Sequence, residues 1–206
     1  VSTVALDPGH GGRDTGAIGS RNVYEKKVAL DIAKRVKKKL LPSDAAIELT
    51  RKNDIYLSLA QRSSKAAAMK ADVFVSIHLN AAANRTASGI ETYTLPVAGC
   101  DSTAGNMDTE KYAGNKYDKA NALLSFYVHR SLLRSLNCAD RGVRRARFDV
   151  LRNAPCPAIL VECGFVSNRK EEERMLDARY RDRIAEGISQ GILTYINKTL
   201  SQHAAR

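Results

Sequence analysis

Four residues of the chain pair acid–base or metal-ligating side chains with positions where sheet proteins keep their ligands: His10, Glu25, His78 and Glu162. His10 lies in Asp7-Pro8-Gly9-His10-Gly11-Gly12, where glycines on both sides let the backbone pass close to a ligand. His78 closes the apolar run DVFVSIH, and Glu162 follows Ala158-Ile159-Leu160-Val161. An acid in so apolar a run is costly unless it is paired or has a task. Two imidazoles and one carboxylate make the three-ligand set of a catalytic zinc, with a fourth position open to water. Each residue also has an ordinary reading. A His at a strand end is commonly structural, and Glu25 at a helix start complements the helix dipole. Spacing alone leaves these alternatives open. His129, in a helical stretch, and His203, in the tail, read as structural or solvated.

The elements that must position these groups follow from hydrophobic periodicity. Thr3–Leu6 reads as a buried strand running into the Gly-rich loop. A helix is expected from Glu25, with Ala29, Ala33, Val36 and Leu40 at helical spacing and a stop at Pro42. Ala46–Thr50, Asp72–His78 and Ile90–Leu95 read as strands, and Leu57–Lys70 as an Ala-rich helix capped at Ser58 or a neighbour. Residues 96–121 carry no periodicity and are rich in Gly, Asn, Asp and Lys, so a flexible insertion is expected there. A helix resumes near Leu123 and runs to about Leu136, and Phe148–Leu151 and Pro157–Cys163 read as the last strands. Ile184, Ile188, Ile192 and Ile196 line one face of a C-terminal helix. Strands alternating with helices predict one α/β domain over residues 1–206, its mixed, mainly parallel sheet flanked by helices on both faces. His10, His78 and Glu162 then fall where strands end and loops begin, which is where such sheets bind ligands.

Composition narrows the function classes. At 206 residues, 44% hydrophobic and 27% charged, the chain is neither disordered nor low-complexity. Lys and Arg number 33 against 22 Asp and Glu, and the net +11 would attract nucleic acid, anionic lipid or an acidic wall polymer. The aromatic share of 6%, with no Trp, argues against a stacking platform for single-stranded nucleic acid, and no motif supports nucleic-acid binding. No stretch reaches the ~18–20 apolar residues of a membrane span. The four cysteines form no C-x-x-C pair, so neither compartment nor the disulfide status of Cys100, Cys138 and Cys156 is readable. The chain opens on Val1 with no apolar signal region, and a targeting segment is expected to have been removed.

In order along the chain stand DPGHGGRDTGAIG, YEKKVALDIA, SIHLNAA and RGVRRARFDVLRNAPCPAILVECGFVSN. Over about Val4–Asn168 these motifs resemble the zinc-dependent N-acetylmuramoyl-L-alanine amidases of the amidase-3 family. The resemblance implies that His10, Glu25 and His78 ligate one Zn2+ per chain and that Glu162 is the catalytic carboxylate. It implies a peptidoglycan hydrolase that uses zinc-activated water to cleave the amide between N-acetylmuramic acid and the L-alanine of the stem peptide. An extracytoplasmic setting, periplasmic or secreted, follows, with an activator protein as a candidate partner.

Around that set, period-two geometry puts Ser76, His78 and Asn80 on one face, where Asn80 would hydrogen-bond substrate or oxyanion. Asp7 or Asp14 would orient the free ring nitrogen of His10. From the cluster Arg141, Arg144, Arg145, Arg147 and Arg152, Arg152 is expected to meet stem-peptide carboxylates. Cys163 should face the opposite side of the sheet, in the core. Residues 96–121 exceed the simplest family members but are short for a segment that covers the zinc. They read as a flap, with Asp108 or Glu110 at most a weak zinc competitor. Another metal hydrolase on the same ligands, a peptidase or deacetylase, and a non-catalytic wall-binding module are the alternatives.

Overall fold

A computed structural model describes residues 2–103, 105 and 107–204, the last five by their helical backbone alone. Its frame is a six-stranded sheet in the order β2-β1-β3-β6-β4-β5. The strands are β1 (Thr3–Pro8), β2 (Ala46–Leu49), β3 (Val73–Asn80), β4 (Ile90–Thr94), β5 (Asp140–Arg145) and β6 (Ala158–Phe165). The block β2-β1-β3-β6 is parallel, β4 runs antiparallel to β6, and β5 is parallel to β4. The sheet is mixed and mainly parallel, as the alternation of elements predicts.

Period-two alternation divides the core in two. Val4, Leu6, Val75, Ile77, Ile159, Val161 and Cys163 pack in one cluster with α1 (Glu25–Leu40), α3 (Asp118–Leu136) and α6 (Ala178–Ala204). The residues between them, Ala5, Phe74, Ala158 and Leu160, belong to a smaller cluster with Ala66 of α2 (Leu59–Ala68) and Val150 and Leu151 of α4 (Asp149–Arg152). His78 and Glu162 share the phase of this second set. Short helices cover that face, which leaves room above the strand ends. Ser58 caps α2 with a reciprocal box: its Oγ accepts from Gln61 N at 3.2 Å, and Gln61 Oε1 accepts from Ser58 N at 2.8 Å.

Two expectations need correction, and two elements, one strand and one helix, lie outside them. Phe148–Leu151 is not a strand; Phe148 precedes the single turn α4, whose Val150 and Leu151 are buried against the thin face. Four apolar-rich residues suit either form, and packing decides. The last unassigned strand is β5, the basic DRGVRR, an edge strand with one neighbour and little burial, so it lacks apolar alternation. Residues 113–121 are not irregular: a 3₁₀ turn (Ala113–Tyr117) leads into α3. The buried Asn115 donates to Pro96 O at 2.9 Å, and Asn121 Oδ1 accepts from Ala158 N at 2.8 Å, so polar residues that suggest a loop are core fasteners. The helix α5 (Arg169–Leu176) was not foreseen.

Thr103 of the described part of 97–112 is tied to the end of β5: Thr103 N donates to Arg145 O and Arg145 N to Thr103 Oγ1, both at 2.8 Å. Residues 104 and 106 of the expected flexible insertion, and the side chain of His203, lie outside the described residues. No helix among the described residues is long and apolar enough to cross a membrane.

Ile188 of α6 is fully buried in the larger cluster. Ile188→Ala should cost about 2–5 kcal/mol in urea unfolding, the range for a buried Ile cut to Ala.

Candidate metal centre

Three segments converge at the C-terminal ends of β1 and β3. Beyond β1 the chain turns sharply, with Gly9 N donating to Ile77 O at 2.9 Å and His10 at φ 57°. His78 stands near the end of β3, and Glu25 opens α1. Glu25 Oε1 lies 3.0 Å from His10 Nε2 and 2.9 Å from His78 Nδ1. The two rings meet edge to face, 5.0 Å apart at 80°. Two backbone amides fix the carboxylate: Ala17 N donates to Oε2 at 2.9 Å and Leu79 N to Oε1 at 3.1 Å.

Close approach makes two glycines obligatory. A Cβ on Gly9 would sit 2.3 Å from His78 Cε1. At Gly16, with φ +63°, it would sit 2.6 Å from both Glu25 Oε2 and His10 Cδ2.

Proton placement shows what the cluster needs. His10 Nδ1 lies 2.9 Å from Asp14 Oδ2, a carboxylate that can only accept, so Nδ1 carries the proton. In a neutral ring Nε2 then presents a lone pair to the Glu25 oxygen. Only a cation, a second proton or a metal ion, completes that contact. The titration tendencies agree. Burial would lower the His10 pKa, but Glu25 and then Asp14 outweigh it and the value rises. Burial would raise that of Glu25, but hydrogen bonds with His10 and His78 bring it far below the usual carboxylate range. Among the described residues this trio is the one group of His, Cys, Asp and Glu with ligand atoms close enough to share a metal, all within 4.8 Å.

Glu162 stands beside it. In strand register it pairs with His78 on one side and Glu91 on the other, so the three side chains form a row across the sheet. Glu162 Oε2 is shielded from solvent with no hydrogen-bond partner. Burial, then the charges of Glu25 and Glu91, push its pKa well above the ordinary value. The trio, Glu162, Asn80 and Asp14 line a cavity of about 460 Å³ whose wall also includes Tyr56 and Leu59 near α2 and Phe148 and Asp149 near α4.

The profile of the N-acetylmuramoyl-L-alanine amidase family matches residues 4–194. The chain belongs to the amidase-3 family. It is 38% identical to the amidase LytC of Bacillus subtilis over 193 residues, 94% of this chain and 35% of LytC. With the amidase AmiC of Escherichia coli it shares 33% over 217 residues, 93% of this chain and 52% of AmiC. The chain thus spans a third to a half of these relatives' length. The crystal structure of an N-acetylmuramoyl-L-alanine amidase from Clostridium difficile superposes with a TM-score of 0.83 at 38% identity, covering 95% of this chain and 97% of that one.

The structure brings His10, Glu25 and His78 together, with Glu162 in register beside His78. Asp14, not Asp7, orients His10. Asp7 is buried and accepts from Thr50 Oγ1, Arg62 Nη1 and Ser76 Oγ at 2.5, 2.9 and 2.9 Å. Asn80 is on the cavity wall, its Nδ2 donating to Glu91 Oε2 at 2.9 Å and its Oδ1 accepting from Ala81 N at 2.8 Å. Arg152 is not on that wall; its guanidinium pairs with Asp149 and lies 5.2 Å from the Tyr112 ring centre. Asp108 bonds Tyr112 Oη at 2.7 Å, and neither it nor Glu110 lines the cavity.

His129 is structural, its ring nitrogens 3.0 Å from Thr92 Oγ1 and 2.8 Å from Asp140 Oδ1. Cys163 is buried on the opposite face, and all four cysteines are free thiols.

Three residues of the site's surroundings were missed. Glu91, buried, accepts from Arg141 Nε at 2.6 Å and Tyr93 Oη at 2.8 Å. The signal that marks Glu162, an acid within an apolar strand, is present at Glu91 too. Arg51 and Arg62 are buried behind the His10 loop. Burial and repulsion from Arg62 bring the Arg51 guanidinium down to about 10.

Gly9→Ala should displace the His78 ring and weaken zinc binding by more than about tenfold in a chelator-competition titration, with the fold retained by circular dichroism. Undiminished zinc affinity would show that the close approach is not required.

Proposed function

We propose that this domain is the catalytic domain of a zinc-dependent amidase that hydrolyses the amide between N-acetylmuramic acid and the L-alanine of the peptidoglycan stem. The observation that carries this is the convergence of His10 Nε2, Glu25 Oε1 and His78 Nδ1 beside Glu162, whose Oε2 is shielded and has no hydrogen-bond partner among the described residues. The donor set fits zinc: two imidazoles and one carboxylate, with a cavity over the remaining direction. Bound there, zinc supplies Lewis acidity toward a water molecule and toward the scissile carbonyl.

The chain's own residues do the rest. Asp14 holds the His10 tautomer that presents Nε2 to the metal. Glu162 takes a proton from the attacking water as the new C–O bond forms. It gives that proton to the L-alanine nitrogen as the C–N bond breaks, releasing a free amine and the lactyl carboxylate. To take that first proton Glu162 must be ionised, and a cation held by His10, Glu25 and His78 would offset the burial and the Glu25 and Glu91 charges that raise its pKa.

Substrate contacts fall to Asn80 on the wall and to Arg152 on α4, whose Asp149 and Val150 border the cavity. Exposed Tyr56, Leu59 and Phe148 give the rim an apolar surface for sugar and peptide. Peptidoglycan is anionic, which suits a chain of net charge +11. The setting is extracytoplasmic, and an activator protein is a candidate partner. The flap reading narrows to residues 97–112, because a Cβ on the buried Gly114 would meet Leu151 O at 2.1 Å.

Digestion of purified peptidoglycan followed by mass spectrometry tests the reaction: the amidase releases stem peptides with a free L-alanine amine. Cleavage within the peptide, or loss of acetyl groups alone, would mark a peptidase or a deacetylase. Glu162→Gln should keep its zinc and fold yet lose at least ~10²-fold in rate, the scale of acid–base catalysis. Near-normal turnover in that variant would place the proton transfer elsewhere. Deleting residues 100–109 should leave basal turnover within about tenfold, or ~1.4 kcal/mol. A hundredfold activation, about 2.7 kcal/mol, would make the segment an autoinhibitor.

A further inference from the structure

We propose that Arg51 and Arg62 are positioning residues that fix the His10 and Glu25 ligands relative to each other; the inference rests on the zinc reading above. Three successive carbonyls, of Pro8, Gly9 and His10, turn toward these two guanidinium groups. Arg62 Nη1 donates to Pro8 O at 2.8 Å and Arg51 Nε to the same oxygen at 3.0 Å. Arg51 Nη2 donates to Gly9 O at 2.6 Å, and Arg62 Nη2 to His10 O at 2.8 Å.

The decisive contact is a second one made by Arg51 Nη2, to Lys26 O at 2.9 Å. Lys26 follows Glu25. One nitrogen therefore bridges the loop that carries His10 and the helix turn that carries Glu25. Arg51 Nη1 to Asn53 O at 3.2 Å and Arg62 Nη2 to Leu57 O at 3.3 Å anchor both side chains in the segment between β2 and α2.

The two arginines are 1% and 3% exposed; Asp7 pairs directly with Arg62 at 2.9 Å, while Arg51 donates to backbone carbonyls. Burying two adjacent cations is an expensive way to fill space, and apolar side chains would do that at lower cost. What a planar guanidinium adds is fixed direction: several donors in one rigid fork. The object held is a histidine in the left-handed region at φ 57°, a conformation that persists only where its surroundings over-determine it. A lysine at either position keeps the charge and loses the fork.

The test uses the 206-residue chain with Zn2+ and Co2+ as probes. Zn2+ affinity is read by chelator competition, and site geometry by the Co2+ electronic absorption spectrum. Arg51→Lys and Arg62→Lys are compared with Ile188→Ala, which lowers stability far from the site. Folded Arg51→Lys should bind Zn2+ about 10–100-fold more weakly, the scale for residues that orient metal ligands. Its Co2+ spectrum should change, Arg62→Lys should shift in the same direction, and Ile188→Ala should match the parent in both readouts. If Arg51→Lys does not fold, Arg62→Lys carries the comparison.

Parent-like affinity and spectrum in the folded lysine variants would overturn the proposal while leaving the zinc reading intact. An equal loss in Ile188→Ala, or failure of both lysine variants to fold with saturating Zn2+, would overturn it too, by showing that the arginines serve stability alone. A parent chain that binds neither metal would overturn the zinc reading and this proposal together.

Discussion

A single carboxylate oxygen, Glu25 Oε1, faces the imidazole nitrogens of His10 and His78 at 3.0 and 2.9 Å. With Asp14 holding the proton on the far side of the His10 ring, this meeting of acceptors calls for a positive charge. The local fold supplies what that contact demands. The loop after β1 must turn through a left-handed histidine, β3 must come close enough that Gly9 has no room for a side chain, and α1 must begin at Glu25. The sheet order sets β6 next to β3 and so brings Glu162 into register with His78.

The unequal covering of the sheet has a functional side. Long helices α1, α3 and α6 bury one face, and that face carries most of the apolar core. The other is covered by short α2 and α4 and holds the polar row His78–Glu162–Glu91. Burying acids in a row is unfavourable unless opposite charges offset it. Arg141 does so for Glu91 at 2.6 Å. Glu162 has no such partner among the described residues, and burial, then the charges of Glu25 and Glu91, raise its pKa. The face that contributes least to apolar burial is the one that carries His78, Glu162 and Glu91.

Much of this was legible in the sequence because the signals are local. The Gly-flanked His10 follows a strand, the apolar run around His78 marks another near its end, and the acid lodged in AILVE stands out within a third. What escaped depends on contacts across the fold. Nothing near Arg51 and Arg62 in the chain shows that they will be buried against the carbonyls of Pro8, Gly9 and His10. The edge strand β5 has no apolar alternation because it is paired on one side only. Asp7 and Asp14 were equal candidates for orienting His10. Strand register decides between them, because it turns Asp7 toward Ser76 and Arg62.

The central claim is that one zinc completes the His10, Glu25 and His78 cluster. X-ray absorption at the zinc edge, on the chain loaded with one equivalent of Zn2+, measures that shell directly. The expected result is a low-coordinate shell of two imidazoles and light oxygen donors at about 2.0–2.2 Å, with no sulfur. A sulfur shell near 2.3 Å, which would place the metal on a cysteine, or a shell without imidazole scattering would contradict it.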